Sequence, residues 1–206
     1  MNLYLSKTPI FIRTLLPQLT WQVNTNDRKI YLTFDDGPTP KITPWVLDQL
    51  DKYKAKATFF CIGKNVKSYP EIFNDIKERG HAVGNHTFNH LSGWNVSRNE
   101  YWTDIEKADT LIKSSLFRPP YGKINPRIIK RLKSKYQLIM WDVLSGDFDL
   151  DLNPDQCLKN VLSNCTKGSI IVLHDSVKSS GHLKSFLPQL LKELKAQSYD
   201  LTRLPY

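Results

Sequence analysis

Apolar and polar positions along this chain switch repeatedly between a two-residue and a 3.6-residue period. Short runs rich in β-branched and aromatic residues predict strands over Lys29–Phe34, Ala57–Ile62 (closed by Gly63), His81–His86, Gln137–Val143, Ser169–Leu173 and Tyr199–Leu204. Phe117–Tyr121 has the same character but is interrupted by Pro119-Pro120. Helical spacing fills the intervals. One helix runs from Thr43 or Pro44 to about Tyr53, burying Trp45, Val46, Leu47 and Leu50, and another runs from Pro70 to Arg79, stopped by Gly80. Ser97-Arg98-Asn99-Glu100 has capping-box spacing and opens a helix to about Leu116. Further helices are expected from Pro126 to about Lys135, from Asn153-Pro154 to about Cys165, and over Leu183–Gln197. Strands alternating with helices predict parallel pairing and right-handed crossovers, an α/β fold whose pattern leaves an open sheet and a barrel equally admissible.

Ahead of these units, Pro9–Leu19 predicts a short amphipathic helix with Thr8 as cap and Pro9 in its first position. Its Phe11, Ile12, Leu15, Leu16 and Leu19 are expected to pack on the domain, contact with a membrane surface being the competing reading. No run approaches the roughly 18 apolar residues of a membrane span. The opening residues lack the apolar core and small-residue cleavage site of a signal peptide, so the sequence predicts a cytoplasmic chain.

The length of 206 residues suits one domain. A net charge of +9 invites anionic partners, but the lysines are dispersed and form no basic block, so no nucleic-acid partner is expected. Cys61, Cys157 and Cys165 are odd in number and lack Cys-x-x-Cys spacing, which predicts free thiols. The oligomeric state does not follow from the sequence.

The chemistry gathers where strands end. Asp35-Asp36 closes the first strand at a Gly37-Pro38 turn, a site for two carboxylates with separate tasks, holding a metal and handling a proton. His86 and His90 have the spacing that sets two imidazoles on one face of a helical turn, and with Asp36 they make a facial triad. Arg118, Asp147 and His174-Asp175 also fall at or just beyond strand ends, the edge on which α/β folds build ligand sites. His81 and His182 read as structural or surface residues, Asp175 as a cap of the next turn, and Asp142 as a surface or strand-end residue.

Four segments occur in order: Thr33-Phe34-Asp35-Asp36-Gly37-Pro38, His86-Thr87-Phe88-Asn89-His90, Arg118-Pro119-Pro120-Tyr121-Gly122 and Leu173-His174-Asp175. In these the chain resembles the NodB-homology polysaccharide deacetylases of carbohydrate esterase family 4, over about Lys29 to Leu204. The resemblance implies a distorted (β/α) barrel, TIM-like, with seven or eight strands. It would form a catalytic domain over 29–206, with 1–28 as a segment packed on it. It also implies a divalent metal, zinc before cobalt, nickel or iron, held by Asp36, His86 and His90. Asp35 then corresponds to the general base and Arg118 to its partner. Tyr121 would offer a backbone N–H to the oxyanion, and His174 would be the general acid. Leu173 and Trp141 would form an apolar slot for the acetyl methyl, and Thr87 would steady the loop between the ligands. Physical reasoning adds Asp147 as the carboxylate that keeps His174 protonated.

The implied activity is removal of N-acetyl groups from N-acetylglucosamine-type glycan, peptidoglycan-like or chitin-like, by water activated by that metal. Deacylation of another amide, such as a lipid-linked aminosugar, and carbohydrate binding by a pseudoenzyme are the alternatives. One segment departs from the pattern. The family's Asp-x-x-Asp-Trp reads Leu144-Ser145-Gly146-Asp147-Phe148, so Leu144 replaces an Asp and Phe148 the Trp, while Asp147 is retained.

Overall fold

The computed structural model describes residues 4–206. The strands in chain order are β1 (Lys29–Asp35), β2 (Thr58–Cys61), β3 (Ala82–Asn85), β4 (Leu116–Phe117), β5 (Gln137–Leu138), β6 (Val143–Leu144), β7 (Ile170–His174) and β8 (Asp200–Thr202). The helices are α1 (Ile10–Leu15), α2 (Thr43–Lys52), α3 (Gly63–Ser68), α4 (Pro70–Glu78), α5 (Arg98–Ile112), α6 (Pro126–Lys133), α7 (Pro154–Leu162) and α8 (Ser180–Ala196). All strand pairings are parallel, in the order β5-β4-β3-β2-β1-β7-β6, with β8 joining the start of β1.

The sheet is buried on both sides, which is why β1 is apolar almost throughout instead of alternating. Ile30, Leu32 and Phe34 of β1, with Ile171 and Leu173 of β7, face out into a core shared with α2, α4, α7 and α8. Tyr31, Phe60, Leu116 and Ile170 point the other way and meet each other inside, together with Ile139. Arg118, just beyond β4, hydrogen-bonds Thr33 and Asp35 on β1 across two intervening strands. Three strand spacings of about 4.8 Å would put that pair out of side-chain reach on a flat sheet. The sheet is therefore curled into a distorted, incomplete barrel.

The barrel stays open between β5 and β6, and the segment before β1 lies in that gap. Residues 6–8 run antiparallel to β6, with bonds from the Leu144 N–H to the Ser6 carbonyl and from the Thr8 N–H to the Asp142 carbonyl, both 2.9 Å. Farther on, Thr20 exchanges bonds with the backbone at Leu138 and Met140 on the β5 side. Buried Asp142 ties the two together, accepting from Lys7 at 2.8 Å and also from Arg13 and Ser169. Asp142 is thus an interior anchor, where the sequence suggested a surface or strand-end residue.

Several local expectations shift. The single strand expected over Gln137–Val143 is two short strands on opposite edges of the sheet. Residues 139–142 cross the gap instead, and the carbonyls of Ile139 and Met140 accept from Arg118. Gly63 opens α3, a helix the sequence pattern did not predict. The first helix is shorter than Pro9–Leu19, Pro9 stands at its cap position, and the Thr8 hydroxyl bonds the Trp141 carbonyl instead. Ile12 and Leu16 pack inward and Leu19 is buried, but Phe11 (61% exposed) and Leu15 (73%) are not on the packed stripe. The predicted caps at Ser97 and Asn153 do accept N–H groups of their first turns, and Asn125 does the same for the helix that Pro126 opens. No helix among the described residues is long and apolar enough to cross a membrane. Cys61, Cys157 and Cys165 are free.

Candidate active site

At the C-terminal rim the end of β1 delivers two carboxylates to different neighbours. Asp35 continues the inward row of Tyr31 and Thr33, while Asp36 leaves the strand at φ 81° and turns its side chain to the rim. This unusual backbone for a non-glycine residue is held on both sides. Asn65 donates to the Asp36 carbonyl at 2.7 Å, and buried Asp175 accepts the Gly37 N–H at 3.1 Å and the Thr43 hydroxyl. A Cβ on Gly37 would collide with the Asp175 carboxylate, so only glycine fits there. Burial pushes the Asp175 pKa up to about 7. Asp175 therefore braces the turn after β1, a role beyond the local cap that the sequence suggested.

His86 and His90 are not on a helix. His86 follows β3, and the chain then bends through Thr87 (φ 64°) and His90 (φ 58°). Asp104 of α5 accepts the N–H groups of Phe88 and Asn89 at 2.9 Å, and the Thr87 hydroxyl accepts that of Leu91 at 3.1 Å. This bracing, not helical spacing, brings the imidazoles together. One ligand atom each from Asp36, His86 and His90 lies within 4.8 Å of the others. His90 Nε2 is 3.2 Å and His86 Nε2 3.8 Å from Asp36 Oδ1.

His86 Nδ1 lies 2.8 Å from the Arg118 carbonyl, which can only accept, so that nitrogen carries the proton and Nε2 presents its lone pair to the group. Burial drives the His86 pKa down to about 4, favouring the neutral, ligating form. Burial opposes ionisation of Asp36, but the hydrogen bond from His90 and the fields of His174 and His86 outweigh it and hold the carboxyl well below its usual range. Two imidazoles and a carboxylate on one side of a common point fit a divalent transition metal.

Asp35 and His174 flank this group, adjacent in the β1–β7 register. Asp35 Oδ1 is 2.7 Å from Arg118 Nη1. The Arg118 guanidinium is fully buried, yet its charge is answered by Asp35, Thr33 and two carbonyls, and it lies 4.1 Å from the centre of the Phe60 ring. His174 is held by buried Asp147 at two points, its backbone N–H at 2.8 Å and Nδ1 at 2.7 Å. Burial disfavours the imidazolium, but Asp147 prevails and lifts the His174 pKa to about 9. His182 Nδ1 donates to the Asp147 carbonyl at 3.1 Å, a support for that loop that nothing in the sequence pattern signals.

The remaining predicted residues divide. Tyr121 (φ 60°) sits in the short 3-10 turn Pro120–Gly122, with its ring 4.7 Å from that of His90. Half-buried Trp141 lies against Gly122 beside it. Leu173 does not line the site: it packs outward with Phe34, on the opposite face of β7 from His174. Val172 holds the inward position, paired with Leu144 of β6. A cavity of about 330 Å³ lined by Lys29, Tyr31 and Thr202 lies at the other end of the strands, away from this chemistry.

Comparison with known proteins agrees with this geometry. The profile of the family described as polysaccharide deacetylase matches residues 22–137. A peptidoglycan-N-acetylglucosamine deacetylase of Bacillus cereus is 38% identical over 189 residues, covering 88% of each chain. A chitooligosaccharide deacetylase of Azorhizobium caulinodans is 35% identical over 162 residues, covering 75% of this chain and 77% of its own. The crystal structure of a peptidoglycan N-acetylglucosamine deacetylase in complex with a naphthalenyl-N-oxidanyl-benzamide superposes with a TM-score of 0.88 at 30% identity, covering 96% of this chain and 95% of the other. With its motifs gathered on one rim and more than half its length matched to the family profile, this chain belongs to the polysaccharide deacetylase family.

Proposed function

We propose that this protein hydrolyses the N-acetyl groups of N-acetylglucosamine-type glycan, peptidoglycan-like or chitin-like, at the rim described above. The observation that carries the reading is the three-donor group Asp36, His86 and His90, with Asp35–Arg118 and His174–Asp147 flanking it. Zinc is the ion that best suits two imidazoles and one carboxylate, and when bound it would polarise the acetyl carbonyl and acidify a water.

The chain's own residues supply the rest. Asp35 accepts the proton from the attacking water, and its hydrogen bond from Arg118 aims it. The Tyr121 N–H is our candidate donor to the oxygen of the tetrahedral intermediate. His174, kept protonated by Asp147, gives its proton to the departing amine, which is too basic to leave as an anion. One carboxylate held ready to accept and one imidazolium held ready to donate form an acid–base pair. Val172, Leu144 and Trp141 are the apolar side chains placed to receive the acetyl methyl. The substrates named for the two curated relatives support an N-acetylglucosamine glycan.

The test is acetate release from chitooligosaccharides and peptidoglycan by zinc-reconstituted protein. Asp35→Asn and His86→Ala are expected to reduce the rate by about a hundredfold or more. Wild-type rates in both variants would refute the assignment.

A further inference from the structure

The segment that lies in the barrel gap also reaches the back of His174. Residues 6–8 run along β6, and this places Tyr4 against the loop that follows it. The Tyr4 ring packs on Phe148 with centroids 5.2 Å apart and planes at 53°. Phe148 in turn meets the His174 imidazole edge-on, at 5.3 Å and 74°. Tyr4, Phe148 and His174 thus form a continuous row of ring contacts.

The same tyrosine lies close over the loop backbone. Gly146 has φ 83°, and a Cβ there would fall 2.7 Å from the Tyr4 hydroxyl, so the phenol lies directly over the residue preceding Asp147. Burial, with Asp149 beside the hydroxyl, keeps the phenol protonated by pushing its pKa up. Asp147, inside this loop, makes both bonds to His174. Leu144 and Phe148, where the sequence departs from its family's pattern, both meet the segment here, one through its backbone N–H and the other through its ring.

We propose that Tyr4 is a positioning residue for the acid step, acting through Phe148 and the 146–149 loop to fix the His174 imidazolium toward the leaving amine. This rests on His174 being the general acid. A group displaced by about 1 Å loses much of its catalytic effect even when the displacing change is remote. The loss falls only on reactions that need the proton.

Two substrates separate these cases. A chitooligosaccharide has a basic amine to expel and needs the acid, whereas the nitrophenolate of 4-nitrophenyl acetate leaves without one. Tyr4→Ala is expected to lower kcat on the chitooligosaccharide about tenfold with KM unchanged, and to leave the ester rate as in wild type. Tyr4→Phe keeps the ring and restores both rates. Phe148→Ala is expected to mimic Tyr4→Ala, and the double variant to be no slower than Phe148→Ala alone. A Tyr4→Ala that slows both substrates alike, or neither, overturns the proposal, as does full additivity with Phe148→Ala. Assays well below each variant's melting temperature keep a stability loss from imitating the result. His174→Ala tests the underlying reading: selective loss on the amide supports it, and equal loss on both substrates removes the acid assignment and the proposal with it.

Discussion

Asp35 and His174 are neighbours across two hydrogen-bonded strands, yet each has its own buried partner of opposite charge. Arg118 answers Asp35, and Asp147 answers His174. A prediction belongs to the second pair. Asp147 raises the His174 pKa to about 9, above the value of about 6.5 for free histidine, so under the proposed mechanism its proton is available below that pH and lost above it. Asp147→Asn removes the largest influence raising the value and leaves burial to lower it. The basic limb of the kcat/KM profile on a chitooligosaccharide is therefore expected to move to lower pH, and the rate at pH 8 to fall about a hundredfold. The same linkage reaches stability. The contribution of the pair is fully present below about pH 6.5 and fades as pH rises through 9, so the stability difference between wild type and Asp147→Asn should narrow in alkali. An unchanged basic limb in the variant would separate Asp147 from the acid.

These residues were legible in the sequence because their chemistry and order are distinctive. Leu173 was misread because one position along a strand reverses the face, and the curl of the sheet makes Val172 the inward residue. The bracing contacts of Asp175 and His182 carried no signal, since their partners lie far away in sequence at Gly37, Thr43 and Asp147.

At the scale of elements, the segment before β1 and the 139–142 crossing depend on each other. The run Gln137–Val143 has the composition of one strand, but its ends pair on opposite sheet edges, and Asp142 in the middle takes charges from Lys7 and Arg13. Asp142→Ala would leave the half-buried Arg13 without its carboxylate and free the Ser169 hydroxyl inside. Chemical denaturation is expected to show a loss of about 3 kcal/mol, the usual range for breaking one side of a buried pair. A change near zero would mean that the backbone bonds at Ser6, Thr8 and Thr20 suffice to hold the segment. The periodicity of α2, α4 and α7 and the cap residues of α5 and α7 were readable because they are local. The split strand was not, because nothing local marks the gap it crosses.

For the whole molecule, the curl of the sheet places β1, β3 and β4 around one rim, and the candidate metal donors Asp36 and His86, fifty residues apart, come from the ends of β1 and β3. Zinc bound only by the folded state should therefore stabilise the whole domain. At a free concentration about 100 times Kd the gain is about 2.7 kcal/mol, or about 5–10 °C in Tm for a chain of this length. Thermal melts of stripped and zinc-restored protein measure it, and Asp36→Asn is expected to lose most of the increment. An equal shift in that variant would place the ion elsewhere.

The sequence by itself determined the α/β alternation and the strand-end location of Asp35, Asp36, His86, Arg118, Asp147 and His174. Each of these is set by residue type and by spacing over a few positions. Tertiary structure decided that the sheet curls instead of lying open, that bends braced by Asp104 bring His86 and His90 together without a helix, and that residues 4–8 occupy the barrel gap behind His174. Those outcomes rest on contacts between segments tens to more than a hundred residues apart, and no local pattern of apolar and polar positions encodes which distant partner a segment will meet.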